Sequence, residues 1–278
     1  MLPPDPASTP IPAADRPASS RTNPLTPPLA MPMPSLLIAG AQKCGTSTLH
    51  ACLTAHPDVQ AAISPDTGKE VKEIDFFMDH WSRGIDWYQS HFTDPDRKGI
   101  DATPNMICSP LAHSRMAALI PDARIIVTLR DPVARAFSQF NHYTQELDES
   151  RDWDWLLPGA SFADNIQAEF ETTRASWYGI LNRGMYLQQI DSLLRHFPRS
   201  QIHLMVMEQW NADPQQHFDT MLQFLGLEPQ RLPTIVSHMR PYTVPPLDSP
   251  TAEILRQRYR PHNEALFEFM GQSIDQWE

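Results

Sequence analysis

From Ser35 onward the chain alternates short apolar runs with longer amphipathic stretches, punctuated by proline and glycine. "SLLIAG" (35–40) is apolar throughout, the pattern of a strand buried on both faces of a parallel sheet. "TSTLHACLTAH" follows, with Leu49, Cys52 and Leu53 at helical spacing and Pro57 beyond its end. "VQAAI" (59–63) and "KGIDATP" (98–104) read as further short strands. "SPLAHSRMAALI" (109–120) reads as a helix stopped by Pro121. "RIIVTLR" (124–130) is the strongest strand pattern. "PVARAFSQFNHYTQEL" follows it as a helix with Pro132 in the first turn, where a missing N–H is tolerated. "RGMYLQQIDSLLRHF" (183–197) is amphipathic and ends at Pro198, and "QIHLMVME" (201–208) is another strand. The remainder reads as helical around a proline-rich loop near 238–250, while 148–180 fits no single period. Strands alternating with helices predict an α/β domain with a mostly parallel sheet.

The chain has 278 residues and 41% hydrophobic content, enough for one large core or two small ones. Residues 1–34 are rich in Pro, Ala, Ser and Thr, cannot bury enough surface to fold, and are expected to form a disordered tail. Met31 and Met33 leave a later start open. The formal net charge of −11 disfavours nucleic acid as a partner, which needs a positive field. Cys44, Cys52 and Cys108 are odd in number and lack metal-ligand spacing, so they read as reduced thiols of a cytoplasmic protein. The sequence has neither an apolar run of about 18 residues nor a basic start followed by an apolar stretch, so neither membrane insertion nor a secretory signal is expected.

"GAQKCGTSTL" (40–49) lies between the first strand and the first helix. Loop amides and the unsatisfied N–H groups of the helix start converge there, and with the helix dipole they form an anion site. Gly40 and Gly45 permit the turn, Thr46, Ser47 and Thr48 add hydroxyls, and Lys43 adds a positive charge. The bland alternative is a tight strand-to-helix turn with an incidental lysine. A nucleoside triphosphate P-loop, G-x-x-x-x-G-K-[ST], would place lysine after the second glycine, where this chain has Thr46. A kinase-like site using Mg-ATP is therefore disfavoured, the more so because Asp131 stands beside an arginine that would compete for it. At the end of the second strand-loop-helix, Arg130 occupies a strand's C-terminal end, where ligands bind in open sheets. Arg135 and Ser138, three apart, share a helix face, and an arginine with a hydroxyl suits a dianionic phosphate. Alternatively Arg130 pairs with a nearby carboxylate.

Taken together, "GAQKCGTSTL" and "LRDPVARAFSQF" resemble the two signatures of the PAPS-dependent sulfotransferases, "GxQKxGTTxL" and "LRxPVxRAxSxY", with Phe140 in the tyrosine position. "HPDV", "KEIDFFMDHWSRGIDWYQSHF", "DATPNMICSP", "NRGMYLQQIDSLLRHFP" and "YRPHNEALFEFMG" look like the carbohydrate branch, which includes the heparan sulfate N- and 3-O-sulfotransferases and bacterial relatives. The likeness runs from Ser35 to the C-terminus. It implies a single domain over 35–278 with a three-layer, P-loop-like α/β fold, a central mostly parallel β-sheet being flanked by helices. It implies PAPS (3′-phosphoadenosine 5′-phosphosulfate) as sulfuryl donor, PAP as product, and no metal.

On this resemblance Gln42, Lys43, Cys44, Gly45, Thr46, Ser47 and Thr48 grip the 5′-phosphosulfate, and Arg130 and Ser138 grip the 3′-phosphate. Arg240 and Tyr242, in the late loop "SHMRPYTVPPLDSP", are candidates for the 3′-phosphate or adenine, or else belong to an exposed turn. Glu73 in "VKEIDFF" takes the position of the general base, and Lys43 stabilises the charge that builds in an in-line displacement. Without the likeness, "KEVKE" is an ordinary charged run, and Glu70 is the residue most readily confused with Glu73. Lys72 and His142 are candidate acceptor contacts. Ala102 stands where the heparan sulfate enzymes often carry a second lysine, which weakens transfer of their substrate mode to this chain. The acidic surface fits a neutral sugar, glycolipid or small hydroxylated metabolite better than a highly sulfated polymer. Trp81, Trp87, Trp153, Trp155 and Trp177 could stack on sugar faces, although tryptophan is more often core. A nonenzymatic PAPS-binding module is the remaining alternative, against which Lys43, Glu73, Arg130 and Ser138 stand together.

Overall fold

A computed structural model describes residues 32–146, 156–171, 179–234 and 242–277, all within one compact unit. The N-terminal segment up to residue 31, Trp153, Trp155, Trp177 and Arg240 lie outside the described residues.

Six strands form the sheet: β1 Pro34–Gly40, β2 Val59–Ile63, β3 Glu70–Val71, β4 Lys98–Asp101, β5 Arg124–Leu129 and β6 Ile202–Val206. Their order is β3-β2-β4-β1-β5-β6, parallel throughout except for the antiparallel pairing of β3 with β2. The helices are α1 Thr46–Thr54, α2 Ile85–Gln89, α3 Pro110–Leu119, α4 Pro132–Glu146, α5 Phe162–Glu171, α6 Tyr186–Leu194, α7 Met207–Ala212, α8 Pro214–Leu225 and α9 Ser249–Met270.

Strand periodicity explains the layers. Leu37 and Ala39 of β1 face a core shared with Met116 of α3, Ile190 and Leu193 of α6, and Leu266 of α9. Leu36 and Ile38 face the opposite core, with Leu49 and Leu53 of α1 and Phe218 and Leu222 of α8. A sheet with cores on both faces needs the uninterrupted apolar runs seen in β1 and β5. A third cluster joins Val133, Ala136 and Phe140 of α4 to Phe162 of α5 and Leu255 and Tyr259 of α9. These are the expected three layers, with central parallel strands.

Some boundaries differ from the sequence pattern. Met207 and Glu208 leave the last strand and begin α7. "KEVKE", expected as a charged run, places Glu70 and Val71 on the sheet edge as β3. The unassigned 148–180 stretch contains α5.

Helix starts follow side-chain chemistry. Ser109, Asp213 and Asp248 cap α3, α8 and α9, each accepting a first-turn N–H, with proline following. The carboxylate of Asp131 does the same for α4, accepting from the amides of Val133 at 3.0 Å and Ala134 at 3.3 Å. α1 instead begins after Gly45, with no side-chain cap.

Candidate active site

The loop joining β1 to α1 is held from both sides. Ala41 N–H donates to the Thr128 carbonyl at 2.8 Å, and the Thr128 hydroxyl donates to the Gly40 carbonyl at 3.0 Å. A Cβ at Gly40 would lie 2.7 Å from the Pro104 carbonyl oxygen, so only glycine fits the exit of β1. Lys43 and Gly45 both adopt positive φ, 68° and 84°, and this turns the chain into α1. Thr46, Ser47 and Thr48 then form the first helical turn, with Ser47 exposed and Thr48 half-buried. Because Gly45 offers no cap, their amides and the positive end of the helix dipole are available to an external anion.

Cys44 and Gln42 play different parts from their neighbours. The Cys44 thiol is fully buried, 3.6 Å from the Tyr186 hydroxyl, and burial pushes its pKa up to about 11. Its N–H closes a turn on the Ala41 carbonyl at 3.2 Å. Neither group is offered to a ligand, so of the seven loop residues Cys44 shapes the loop from beneath. The side chain of Gln42 donates to Tyr143 Oη at 2.9 Å and accepts from Arg183 at 2.7 Å. Arg183 also donates to Asn105 at 3.0 Å. Sequence reasoning assigned no role to Arg183, Tyr143 or Asn105, although "NRGMYLQQIDSLLRHFP" and "DATPNMICSP" carry part of the family resemblance.

Arg130, at the end of β5, donates to the Lys43 carbonyl at 3.2 Å. Its own carbonyl accepts from Tyr186 Oη at 2.7 Å. One guanidinium therefore ties the second anion candidate to the first loop. Ser138 lies two turns into α4 and is 9% exposed. Tyr242 stacks on Phe137, the residue before Ser138, with ring centroids 5.4 Å apart at 14°. Thr243 fixes that loop by donating its N–H to Asn141 at 2.9 Å.

Arg135 does not share the ligand role suggested by its spacing from Ser138. It is completely buried and donates to Gln139 at 2.6 Å and to the Ile180 carbonyl, joining α4 to the chain before α6. Periodicity placed both residues on one side of α4, but the guanidinium reaches inward into the third core cluster. Asp131 is engaged in capping α4, and burial raises its pKa above the ordinary carboxylate value. That role, rather than competition from Arg130, separates it from a magnesium site.

Glu73 follows β3 and is 41% exposed. Lys72 Nζ lies 2.6 Å from Glu73 Oε1 and 3.3 Å from the hydroxyl of Thr46, to which it donates. The two candidates in "VKEIDFF" are thereby brought to the start of α1. Glu70 points elsewhere, exposed and 3.9 Å from Nδ1 of buried His50. Burial, and then Lys72, pull the His50 pKa down to about 4, so this imidazole is neutral at pH 7. His142 is half-buried on α4, its ring centroid 5.3 Å from that of Tyr143. Trp81 and Trp87 pack against the core beside Phe76. Among the described residues no group of three His, Cys, Asp or Glu is placed to hold a metal ion, and no helix is long and apolar enough to cross a membrane.

Comparison with known proteins gives consistent findings. A family profile described as "Sulfotransferase domain" matches residues 33–241. The human bifunctional heparan sulfate N-deacetylase/N-sulfotransferase 3 is 29% identical over 277 residues, covering 88% of this chain and 31% of that protein. Human heparan sulfate glucosamine 3-O-sulfotransferase 3B1 is 27% identical, covering 86% of this chain and 64% of that protein. The chain thus spans about a third of the first relative's length and under two thirds of the second's. The crystal structure of a sulfotransferase from Alicyclobacillus acidocaldarius matches with a TM-score of 0.69 at 26% identity, covering 88% of this chain and 99% of that one.

Proposed function

Because the chain belongs to the sulfotransferase domain family, we propose that it moves the sulfuryl group of PAPS to a carbohydrate, with Glu73 as general base. The acceptor group is a hydroxyl or amine, and glycolipids and small hydroxylated metabolites fall in the same class. The observation that carries this reading is the contact chain Glu73–Lys72–Thr46, which sets a carboxylate against an anion-binding loop.

The residues fit a donor with phosphate at both ends of a nucleoside. Lys43, Gly45, Thr46, Ser47 and Thr48 would hold the 5′-phosphosulfate, with Gln42 and Cys44 shaping the loop. Arg130 and Ser138 would hold the 3′-phosphate, and the stacked Phe137–Tyr242 pair supports an adenine contact there. Arg240 keeps its proposed 3′-phosphate contact, from outside the described residues. When bound, PAPS supplies an activated sulfuryl group and a good leaving phosphate.

Glu73 then accepts the acceptor proton as the new bond to sulfur forms, a role worth roughly 10²–10⁴-fold. Lys43 and the α1 amides stabilise the charge left on the departing oxygens, as donors do in phosphoryl transfer. Lys72 holds Glu73 beside Thr46, and with His142 it is a candidate acceptor contact. The heparan sulfate relatives support a sugar acceptor. The net charge of −11 and Ala102 favour a neutral sugar over a sulfated polymer. Three buried free thiols support residence in the cytoplasm, and a single domain over 35–278 completes the proposal.

Binding tests the donor assignment. PAP should raise the melting temperature in a dose-dependent manner, whereas Mg-ATP should not. Stabilisation by Mg-ATP alone would replace this reading with a kinase-like one.

A further inference from the structure

The chain carrying Glu73 has no regular structure of its own. β3 ends at Val71, and residues 72–75 belong to no helix or strand. Their backbone is pinned instead to the end of β4. The Lys72 carbonyl accepts from Ala102 N–H at 3.1 Å. The Ile74 N–H donates to the carboxylate of Asp101. The Asp75 N–H donates to the hydroxyl of Thr103 at 3.1 Å. Asp75 itself sits at φ 54°, a conformation rare for a residue other than glycine, so the turn depends on these contacts.

Asp101 and Thr103 are buried, 0% and 1% exposed, and bonded to each other. The Thr103 hydroxyl donates to Asp101 Oδ1 at 2.7 Å, and Tyr88 Oη donates to Oδ2 at 2.9 Å. The Tyr88 ring stacks on Phe76, three residues past Glu73, with centroids 4.2 Å apart. Thus Lys72, Ile74, Asp75 and Phe76 are all fixed through one buried cluster, while the Glu73 side chain faces outward. The side chains of Asp101 and Thr103 bond to each other, to Tyr88 and to the backbone of Ile74 and Asp75, so their route to the site runs through the segment that carries Glu73.

We propose that Thr103, with the buried carboxylate of Asp101, is a positioning residue that sets the reach of Glu73 toward the acceptor. The inference rests on Glu73 being the general base. One hydroxyl must accept from Asp75 and donate to Asp101 at once, which serine reproduces and valine cannot. A base displaced by about 1 Å can lose on the order of 10²-fold in rate.

The test is a double-mutant cycle on the full chain with labelled PAPS and whichever acceptor wild type sulfates. Thr103→Val should lower kcat about 10- to 100-fold, with PAP affinity and donor KM within about threefold of wild type. Thr103→Ser should restore kcat to within about threefold. In a Glu73→Gln background, Thr103→Val should cost less than about threefold, because the group it positions is gone. A full loss in that background, or a loss equally present in PAP affinity, overturns the proposal while leaving the base reading intact. So does an unchanged kcat. If Glu73→Gln alone keeps wild-type activity, the base reading falls and this inference with it. Should Thr103→Val fail to fold, Tyr88→Phe, which removes the other side-chain donor to Asp101, is put through the same cycle with the same criteria.

Discussion

Lys43 occupies an unusual place for an ordinary residue. Its φ of 68° is left-handed, its carbonyl is clamped by Arg130, and it stands two residues before Gly45, after which an uncapped helix begins. In a tight strand-to-helix turn with an incidental lysine, the side chain could be truncated without consequence. In a sulfuryl-transfer site its loss removes a charge aimed at the departing oxygens. Lys43→Ala should therefore reduce turnover by at least about 10²-fold while the melting temperature changes little. Activity within a few-fold of wild type would remove Lys43 from the mechanism. Glu73 and Glu70 separate by the same logic. Only Glu73 is joined through Lys72 to Thr46, so Glu70→Gln should leave kcat within about threefold, while Glu73→Gln lowers it by roughly 10²–10⁴. Equal losses in both variants would contradict the distinction.

At the level of elements, α4 and α6 place the second half of the site, and each depends on a local device. Asp131 caps α4, so Asp131→Ala should cost about 0.5–2 kcal/mol in denaturant unfolding, with no new metal dependence. Gly184, just ahead of α6, leaves room for Tyr259 of α9, whose ring lies 2.6 Å from where a Cβ would stand. Gly184→Ala should destabilise by about 1–3 kcal/mol, and an unchanged unfolding midpoint would show that the helices slide freely. Much of this layer was legible in the sequence. The apolar runs of β1 and β5 and the spacing in α1 locate both strand-loop-helix units, because burial on both sheet faces leaves a continuous apolar signature. β3 was not legible, since a two-residue edge strand of Glu70 and Val71 buries too little to leave a period. Arg135 was misread because spacing fixes a helix face but not the direction taken by a long side chain. The stretch around Arg183 carried the family resemblance, but the role of Arg183 was not legible, as its partners Gln42 and Asn105 are more than 75 residues away.

Across the whole molecule, buried carboxylates link the site to pH. Burial, foremost, pushes both Asp75 and Asp101 from 3.8 up to about 6. The folded state then holds protons that the unfolded chain has released. These two groups therefore make stability fall as pH rises from about 4 to about 6, by an amount on the order of a few kcal/mol. Asp101→Asn should flatten that slope relative to wild type, and parallel curves would contradict the burial argument. The net charge of −11 acts at the same scale: on the proposed function, transfer to a neutral oligosaccharide should be faster than transfer to a sulfated one at low salt. What unifies the molecule is the C-terminal end of the parallel strands, where Lys43 follows β1, Arg130 follows β5 and the segment carrying Glu73 is pinned to the end of β4. The most direct measurement is transfer of labelled sulfur from PAPS to a panel of neutral carbohydrates, by wild type and by Lys43→Ala. Labelled product from wild type, nearly abolished in the well-folded variant, is the predicted result. Equal labelling by both, or release of PAP with no labelled acceptor across the panel, would contradict the account.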